Sequence, residues 1–364
     1  MDTHSMTRPS IVVGVDTHKD QHVAVAMSEL GMRLGDLSVP ANREGYVTLL
    51  TWSRDLGEPR CFGVEGCGSY GTGLYQFLRR NAVAVTEVSR PTRKGERRLL
   101  GKSDVIDAEH AAKEVLSGRR FTAPKTADGS IESIRLVRIA RKAAVKVQVT
   151  TMITLKATLI NASDELRAAL EPLSDYKLIV ACTELDTDGD LADPLVAMNY
   201  ALCSLASRWL VVHDEVKAHS RHLKRLVELT APELVDAFGI GPDIAGELLV
   251  VAGDNTDRIR SESAFAKLCG VAPIPASSGK TSGRYRINRG GNRQANAALY
   301  RAVIVRMRWH EPTIAYVKKR TADGLTKRDI IRCLKRYLVR EVYRTFAFQR
   351  GVTVASRSQL GLPA

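Results

Sequence analysis

Four carboxylates lie at positions where they could take part in one metal-dependent reaction. Asp16 directly follows the apolar run 11–15, and Glu65 directly follows the apolar run 61–64. Asp104 and Asp107 open a predicted helix and share one face of it, because they are three residues apart. Such strand ends and a helix start can converge at one edge of a sheet. Carboxylates gathered there can hold divalent ions for phosphoryl transfer, in which one oxygen attacks as another leaves.

Mg²⁺ is the expected ion because it is hard and prefers oxygen ligands, and Mn²⁺ could take its place. Each acid also has a structural explanation. An Asp at a strand end is often a turn former. Asp104 could be the N-cap of its helix, with Asp107 completing a capping arrangement. For each acid taken alone, the structural explanation is favoured. For the four acids taken together, a metal site is favoured.

The elements that must position these acids alternate between strands and helices. We predict strands at 11–15, 22–27, 33–39, 61–64 and 82–88, and helices at 44–52, 72–80 and 104–116. The first three strands are expected to be antiparallel neighbours. The later alternation implies parallel strands covered by helices. Residues 8–125 are therefore predicted to form an α/β domain with a mixed sheet.

The middle of the chain, residues 126–230, is predicted to be helical. Residues 131–170 contain little Gly or Pro, with apolar residues three or four apart. A heptad pattern follows, made by Leu195, Met198, Leu202, Leu205, Trp209, Val212, Val216, His219, Leu223 and Leu226. This pattern predicts a long coiled-coil helical hairpin that could mediate dimerisation. A helix buried in its own bundle would give the same pattern, which does not separate an intramolecular hairpin from a dimer contact.

Residues 231–350 are predicted to form a mainly helical C-terminal domain that begins with a helix–hairpin–helix. Gly239 and Gly241 permit a tight turn between its helices, and the backbone N–H groups there could hold a phosphate. A plain packing corner between two helices is the alternative. Residues 351–364 are polar and rich in small side chains, so a flexible tail is expected.

The charge of the chain is concentrated near its C-terminus. The formal net charge is +14, and residues 280–350 contain 19 Lys and Arg against 4 Asp and Glu. Such a block attracts a phosphate backbone through counterion release. Its apolar residues at helical spacing indicate a folded segment. Nucleic-acid binding is therefore favoured over a merely solvated surface.

The remaining composition indicates a cytoplasmic protein with no membrane partner. The six cysteines are scattered and include no Cys-x-x-Cys pair, which argues against structural zinc and disulfides and favours a reducing compartment. No apolar run is expected to be long enough to span a bilayer, and no secretory signal is recognised.

Two groups of motifs resemble one family. The segments 14–19, 63–66 and 102–108 read GVDTHK, GVEG and KSDVIDA, and they resemble the DEDD motif of Piv-related insertion-sequence transposases. Further on, 265–273 (FAKLCGVAP), 276–280 (ASSGK), 286–292 (RINRGGN) and 297–299 (AAL) resemble that family's C-terminal signature. Two small departures from the family's usual residues keep the neighbouring charge and glycine. Ser103 precedes Asp104 where the family often has Thr, and Asn288 precedes Arg289 where it often has Ser or Thr before Lys.

The resemblance implies an RNase H/RuvC-like N-terminal domain and a C-terminal serine transposase domain. Asp16, Glu65, Asp104 and Asp107 would bind Mg²⁺, and Ser278, with Ser277 as the alternate, would be the nucleophile that joins a DNA phosphate. The family is similar to recombinases in which a structured bridge RNA pairs with donor and target DNA. Their dimers pair into tetramers, with composite sites between subunits, and act on DNA in the bacterial nucleoid.

Basic residues around the predicted serine could contact phosphate. These are Lys280, Arg284, Arg286, Arg289 and Arg293. Guanidinium groups suit bidentate phosphate contacts. Without the resemblance, the sequence 277–279 would be read as a flexible turn.

Two other functions stay open at this point. A RuvC-like Holliday-junction nuclease would use the same carboxylates to activate water and would not need the serine. A non-catalytic nucleic-acid-binding protein would need only the basic block and the helix–hairpin–helix, with the N-terminal acids structural.

Overall fold

The chain forms two compact units, residues 1–126 and residues 127–364. The computed structural model describes residues 8–88, 103–118, 122–277, 285–288 and 290–359, and side chains up to residue 346 except that of Ile287. The division into residues 126–230 and 231–350 stays a prediction.

The first unit is a five-stranded mixed sheet with helices on its two faces. Its elements are β1 (Ser10–Thr17), β2 (Gln21–Ser28), β3 (Arg33–Pro40), α1 (Arg43–Leu56), β4 (Glu58–Glu65), α2 (Thr72–Arg80), β5 (Val85–Val88) and α3 (Asp104–Leu116). The strand order is β3-β2-β1-β4-β5. The pairs β1–β2 and β2–β3 are antiparallel, and the pairs β1–β4 and β4–β5 are parallel. The predicted mixed sheet is therefore confirmed.

The last strand is shorter than predicted, because the turn after α2 takes up its first residues. Ala82 has a positive φ of 57°, and the N–H of Val83 still donates to the carbonyl of Leu78 at 3.0 Å. Pairing between β4 and β5 begins at Val85. The prediction of a strand from residue 82 is wrong by three residues.

The alternation of residues along β1 assigns its side chains to two faces. Ile11, Val13 and Val15 join a core with side chains of α1 and α2. Val12 belongs instead to a core made with the alanines of α3. Because side chains alternate along a strand, Gly14 and Asp16 lie on the α3 face with Val12. The same alternation in β4 places Glu65 on that face.

Two glycines let α3 approach the sheet at backbone distance. Gly14 of β1 pairs with Gly63 of β4 in the parallel register. A Cβ on Gly14 would lie 2.1 Å from the carbonyl oxygen of Ala108, and one on Gly63 would lie 2.8 Å from that of Ala111. No side chain fits in these positions. The N-terminus of α3 is therefore held close to the ends of both strands.

The second unit is mainly helical. Its helices are α4 (Ser130–Leu159), α5 (Asp164–Leu170), α6 (Asp175–Thr183), α7 (Pro194–Thr230), α8 (Pro232–Asp236), α9 (Pro242–Ala252), α10 (Glu262–Leu268), α11 (Arg293–Trp309), α12 (Glu311–Ala322) and α13 (Lys327–Gln359). The strands β6 (Pro273–Pro275) and β7 (Tyr285–Ile287) form an antiparallel pair. Because α13 continues to Gln359, residues 351–359 are helical where the sequence predicts a flexible tail.

The long helices α4 and α7 form an antiparallel pair within one chain. Arg141 Nε donates to Ser220 Oγ at 2.9 Å, and Gln148 Nε2 lies 2.8 Å from His213 Nδ1. Later residues of α4 thus meet earlier residues of α7. Along the seam of α7, Leu202, Trp209, Val212 and Leu223 are buried, whereas Leu195 is 62% exposed. An intramolecular hairpin therefore accounts for most of the heptad pattern, and its supercoiling stays a prediction.

Within the described part of the chain, one helix, α7, is long and apolar enough to cross a membrane by length and composition. The expectation that no run reaches this length is therefore wrong. Of its most apolar 18-residue stretch, 22% is buried, and Leu202 and Trp209 pack there in the core shared with α4, α5 and α6.

The ends of the helical pair belong to different cores. At one end Ile134 and Val227 join Leu248, Phe265 and Phe346 of the later helices. At the other end, Leu155 and Leu202 pack with residues of α5 and α6.

Replacement of Gly14 by alanine tests the close approach of α3. We expect Gly14→Ala to lower the free energy of unfolding of the first unit by about 1–3 kcal/mol, the usual effect of overpacking. Urea unfolding would measure the loss, and amide hydrogen exchange would show faster exchange in α3. Gly35→Ala is the control, because its added Cβ would lie at an ordinary 3.5 Å from Trp52. Equal stability of the two variants would contradict the proposed packing.

Candidate metal centre and serine hairpin

Two of the predicted carboxylates lie side by side at the ends of β1 and β4. Val15 pairs with Val64, so Asp16 and Glu65 are the next residues of two adjacent parallel strands. Both are buried, at 6% and 8% exposure. Thr17 Oγ1 donates to the carbonyl oxygen of Glu65 at 2.8 Å and ties the strand ends together. Asp16 lies inside β1, which ends at Thr17, so the turn-former explanation of Asp16 is wrong.

The other two carboxylates come from the first turn of α3. The N-cap of this helix is Ser103, with extended backbone and no side-chain capping bond. Asp104 is therefore not the N-cap, and that alternative is wrong. Asp104 and Asp107 are one turn apart, and the helix dipole favours negative charge at this end. The structure thus leaves the Asp104 carboxylate available for another partner.

His18 joins Asp16 to Asp104. Its Nε2 atom lies 3.1 Å from Asp16 Oδ2 and 3.4 Å from Asp104 Oδ1. One ligand atom from each of these three residues lies within 4.8 Å of the others. The structure thus brings together Asp16 and Asp104, which are 88 residues apart in sequence. Glu65 is the neighbour of Asp16 on the adjacent strand, and Asp107 lies one helical turn after Asp104. His18 lies two residues after Asp16 in the sequence, but no pattern there predicted a role for it.

The donor set fits a divalent ion. Carboxylate oxygens are the ligands that Mg²⁺ prefers, and Mn²⁺ accepts the same set. Asp16 is the most enclosed donor, with a side chain 9% exposed, whereas His18 and Asp104 are about half exposed at 46% and 47%. The site is therefore anchored on the sheet and open on the side of the turn and the helix start.

Burial makes at least two of the cysteines poor candidates for this chemistry. All six are free thiols. Burial raises the pKa of the Cys269 thiol to about 12 and that of Cys182 to about 11. A thiol with such a pKa is protonated at neutral pH and is a poor nucleophile and metal ligand.

The predicted serine lies in the connection of a short β-hairpin. Pro275 of β6 pairs with Tyr285 of β7, so residues 276–284 connect the two strands. Ser277 is exposed in this connection. The other predicted residues of this region, Ser278, Lys280, Arg284 and Arg289, lie outside the described residues.

The hairpin is anchored where α10 ends and α11 begins. Gly291 has a φ of 92°, and a Cβ on it would lie 2.6 Å from the Gly270 nitrogen. Asn296 Nδ2 donates to the Gly270 carbonyl at 2.9 Å, and Lys335 Nζ donates to Asn296 Oδ1 at 2.8 Å. Burial lowers the pKa of Lys335. This arrangement fixes the base of the hairpin on the helical core.

The described basic residues of this region divide into paired and exposed groups. Arg306 forms a bidentate pair with Glu341 at 2.7 Å, and Arg336 pairs with Glu262. Arg286 and Arg293 are exposed at the hairpin and at the start of α11. The arginines in ion pairs hold the fold, so part of the C-terminal charge excess is structural.

The predicted phosphate-binding turn has a packing function as well. Gly239 has a φ of 78°, and a Cβ on it would meet the Ala302 carbonyl of α11 at 3.1 Å. Gly241 has open space around it. In the first turn of α9, Asp243 Oδ1 accepts from Arg138 at 3.0 Å. Packing on α11 explains Gly239, and phosphate binding at Gly239 and Gly241 stays a prediction.

The N-terminal part of the chain is similar to a known class of proteins. Residues 13–163 match a family model described as a transposase of the DEDD type found in IS110 elements. That stretch includes the sheet and the acidic site. An acidic site on a mixed sheet, within such a match, defines the chain as a transposase, an enzyme that acts on DNA.

The particular family follows from the C-terminal part. Residues 232–318, which include the serine hairpin, match the model "Transposase IS116/IS110/IS902 family". The 44.8 kDa protein of insertion element IS116 from Streptomyces clavuligerus is 23% identical over 86% of this chain and 89% of its own length. The 43.6 kDa protein of insertion element IS110 from Streptomyces coelicolor is 31% identical over 34% of this chain and 31% of its own length. The chain belongs to the IS110/IS116 family of transposases.

Metal binding at the carboxylates should stabilise the folded protein. We expect Mg²⁺ to raise the thermal unfolding midpoint of the wild type, because an ion at 100 times its Kd stabilises by about 2.7 kcal/mol. Asp16→Asn should lose this increase. Asp20→Asn, at an exposed acid of the same turn, is the control and should keep it. Scanning fluorimetry in Mg²⁺ and in EDTA measures the unfolding midpoint of each protein. An increase that survives in Asp16→Asn would place the ion elsewhere.

Proposed function

We propose that the protein is a site-specific recombinase of an insertion sequence, which cuts and rejoins DNA through a serine nucleophile at a Mg²⁺-dependent site. The observation that carries the proposal is the contact of Asp16 and Asp104 through His18 at the ends of the strands, in a chain of a transposase family. The contact brings ligands from distant segments to one place, as a metal centre requires.

In this proposal Asp16, Glu65, Asp104 and Asp107 hold the divalent ion. A bound Mg²⁺ supplies positive charge that stabilises the developing charge on a DNA phosphate. The chain's own contribution is positional. β1 and β4 fix the buried acids, and the N-terminus of α3 presents the two partly buried ones. The half-exposed Asp104 leaves one side of the site open to a phosphate backbone.

The proposed nucleophile is Ser278, with Ser277 as the alternate. The serine oxygen forms a bond to phosphorus as the bond from phosphorus to a deoxyribose oxygen breaks, and the serine proton passes to that oxygen through solvent. Attack by a hydroxyl of another strand reverses the exchange and releases the serine. The phosphoester keeps the energy of the broken bond, so rejoining needs no nucleotide cofactor. A serine needs activation to react in this way.

The proposed substrates are donor and target DNA, and the proposed guide is a structured bridge RNA from the element ends. Exposed Arg286 and Arg293 beside the hairpin suit phosphate contacts. Exposed Tyr285, 66% accessible, lies next to Arg286 and could stack on an unpaired base. Such contacts are independent of sequence, which is consistent with a guide RNA that carries specificity. The protein would act on nucleoid DNA in the bacterial cytoplasm.

A covalent protein–DNA adduct tests the serine mechanism. With Mg²⁺, element-end RNA and labelled donor and target DNA, we expect wild type to give a denaturant-resistant adduct. Ser278→Ala and Asp16→Asn should abolish it, and omission of the RNA should reduce it strongly. Ser277→Ala is the matched control and should retain it.

Other outcomes of this experiment would redirect the proposal. An adduct lost in Ser277→Ala but kept in Ser278→Ala moves the nucleophile by one residue. Cleavage without an adduct in any lane contradicts the serine mechanism and favours a RuvC-like nuclease that activates water.

A homodimer that assembles to a tetramer is also part of the proposal. The outer surface of α4 and its C-terminal cap carries Leu136, Ile139, Ile153 and Ile160, which are between 53% and 63% exposed. The last three repeat at multiples of seven residues, the spacing of a helix–helix seam. Because α7 covers the other side of α4, this apolar row is available to a second copy.

A charge in this row should weaken dimerisation. Ile153→Glu should shift the protein towards monomer by at least about tenfold in Kd, since a buried unpaired charge costs several kcal/mol. Sedimentation velocity over a concentration series measures the change. Thr154→Glu places the same charge on the adjacent exposed position and should leave the Kd unchanged. A wild type that is monomeric at all concentrations would contradict the dimer.

A further inference from the structure

The geometry around His18 fits a coordination sphere as well as it fits a hydrogen-bonded pair. In an octahedral site with ligands about 2.1 Å from the ion, adjacent ligand atoms lie about 3 Å apart. The distances of 3.1 Å and 3.4 Å from His18 Nε2 to the two carboxylate oxygens are of this size. The nitrogen can therefore occupy a corner adjacent to each of the two oxygens, and all three atoms lie within 4.8 Å of one another.

The fold fixes the backbone of His18 close to this position. Strands β1 and β2 stay paired as far as Thr17 and His22, and the connection between them has only three residues. The N–H of His18 donates to the Gln21 carbonyl at 3.1 Å and closes the turn. His18 is thus one residue from the sheet ladder, so little entropy is lost when its ring binds.

We infer that His18 is a direct ligand of the divalent ion and makes the centre a mixed nitrogen and oxygen site. The inference rests on the metal site of the proposed function and adds a ligand and a metal preference to it. Imidazole binds first-row transition metals, with Mn²⁺ at the weak end of the series, whereas Mg²⁺ favours oxygen and keeps its waters. The preference for Mn²⁺ over Mg²⁺ therefore depends on His18.

Mn²⁺ binding to the full chain tests this inference. Electron paramagnetic resonance counts free Mn²⁺ in a titration, and electron spin echo modulation detects a nitrogen bound to the ion. We expect nitrogen modulation from the wild type and none from His18→Ala. The Mn²⁺ Kd should rise at least about tenfold in His18→Ala, since even outer partners of ligands contribute that much. The Mg²⁺ Kd, from competition with Mn²⁺, should change less than about twofold.

Two further variants make the test specific. His110→Ala removes another histidine of the first unit, whose Nε2 lies 3.8 Å from Glu114 on α3, and should leave Mn²⁺ binding and the nitrogen signal unchanged. Asp16→Asn should abolish binding of both ions.

The outcomes separate this inference from the proposed metal site. Mn²⁺ bound in an Asp16-dependent way without nitrogen modulation would overturn the His18 ligand and leave the carboxylate site standing. Equal loss of Mg²⁺ and Mn²⁺ affinity in His18→Ala would also overturn it, because His18 would then only position the carboxylates. If the wild type binds neither ion, the proposed metal site itself fails.

Discussion

The close approach of α3 to the paired glycines Gly14 and Gly63 is the constraint on which the acidic site depends. Asp16 is placed by the sheet alone, but Asp104 arrives from a helix nearly ninety residues later in the sequence. Backbone packed on backbone leaves little freedom for that helix to slide or rotate, because the alanines at the contact have no side-chain length to take up a shift. A metal centre assembled from distant segments needs such a fixed reference.

The second unit uses another kind of constraint, ion pairs across helices. Arg138 of α4 donates to Asp243 and also pairs with Glu247 of α9, while Arg301 of α11 reaches Asp243 at 3.2 Å. These contacts lie beside the apolar core that joins the helical pair to the serine hairpin's supporting helices. Part of the positive charge of the chain is thereby used internally, and the exposed remainder near the hairpin is what a phosphate backbone would meet.

Most of the fold of the first unit could be predicted from the sequence. Apolar runs of strand length followed by acids, and the alternation with helices, predicted the mixed sheet and the strand-end positions of Asp16 and Glu65. It did not predict His18, because a histidine in a turn has no periodic signal and its partner Asp104 is distant in sequence. The missed start of β5 has a local cause, since the bonds that end α2 continue to Val83. The heptad pattern predicted a long helix but did not distinguish an intrachain partner from a second copy, because both bury the same apolar face. Similarly, a Gly-x-Gly turn gives the same sequence signal for packing and for phosphate binding. The short distance from a Gly239 Cβ to α11 accounts for Gly239 by packing, and phosphate binding stays a prediction.

The antiparallel pair of α4 and α7 has a mechanical consequence. A helix of 30 residues spans about 45 Å, and each end of this pair is clamped in a separate apolar core. Such a pair has a fixed length and therefore keeps α5 and α6 at a set distance from the serine hairpin. Because each clamp also fixes the rotation of the helices about their axes, a partner that twisted one end would apply torque to the other.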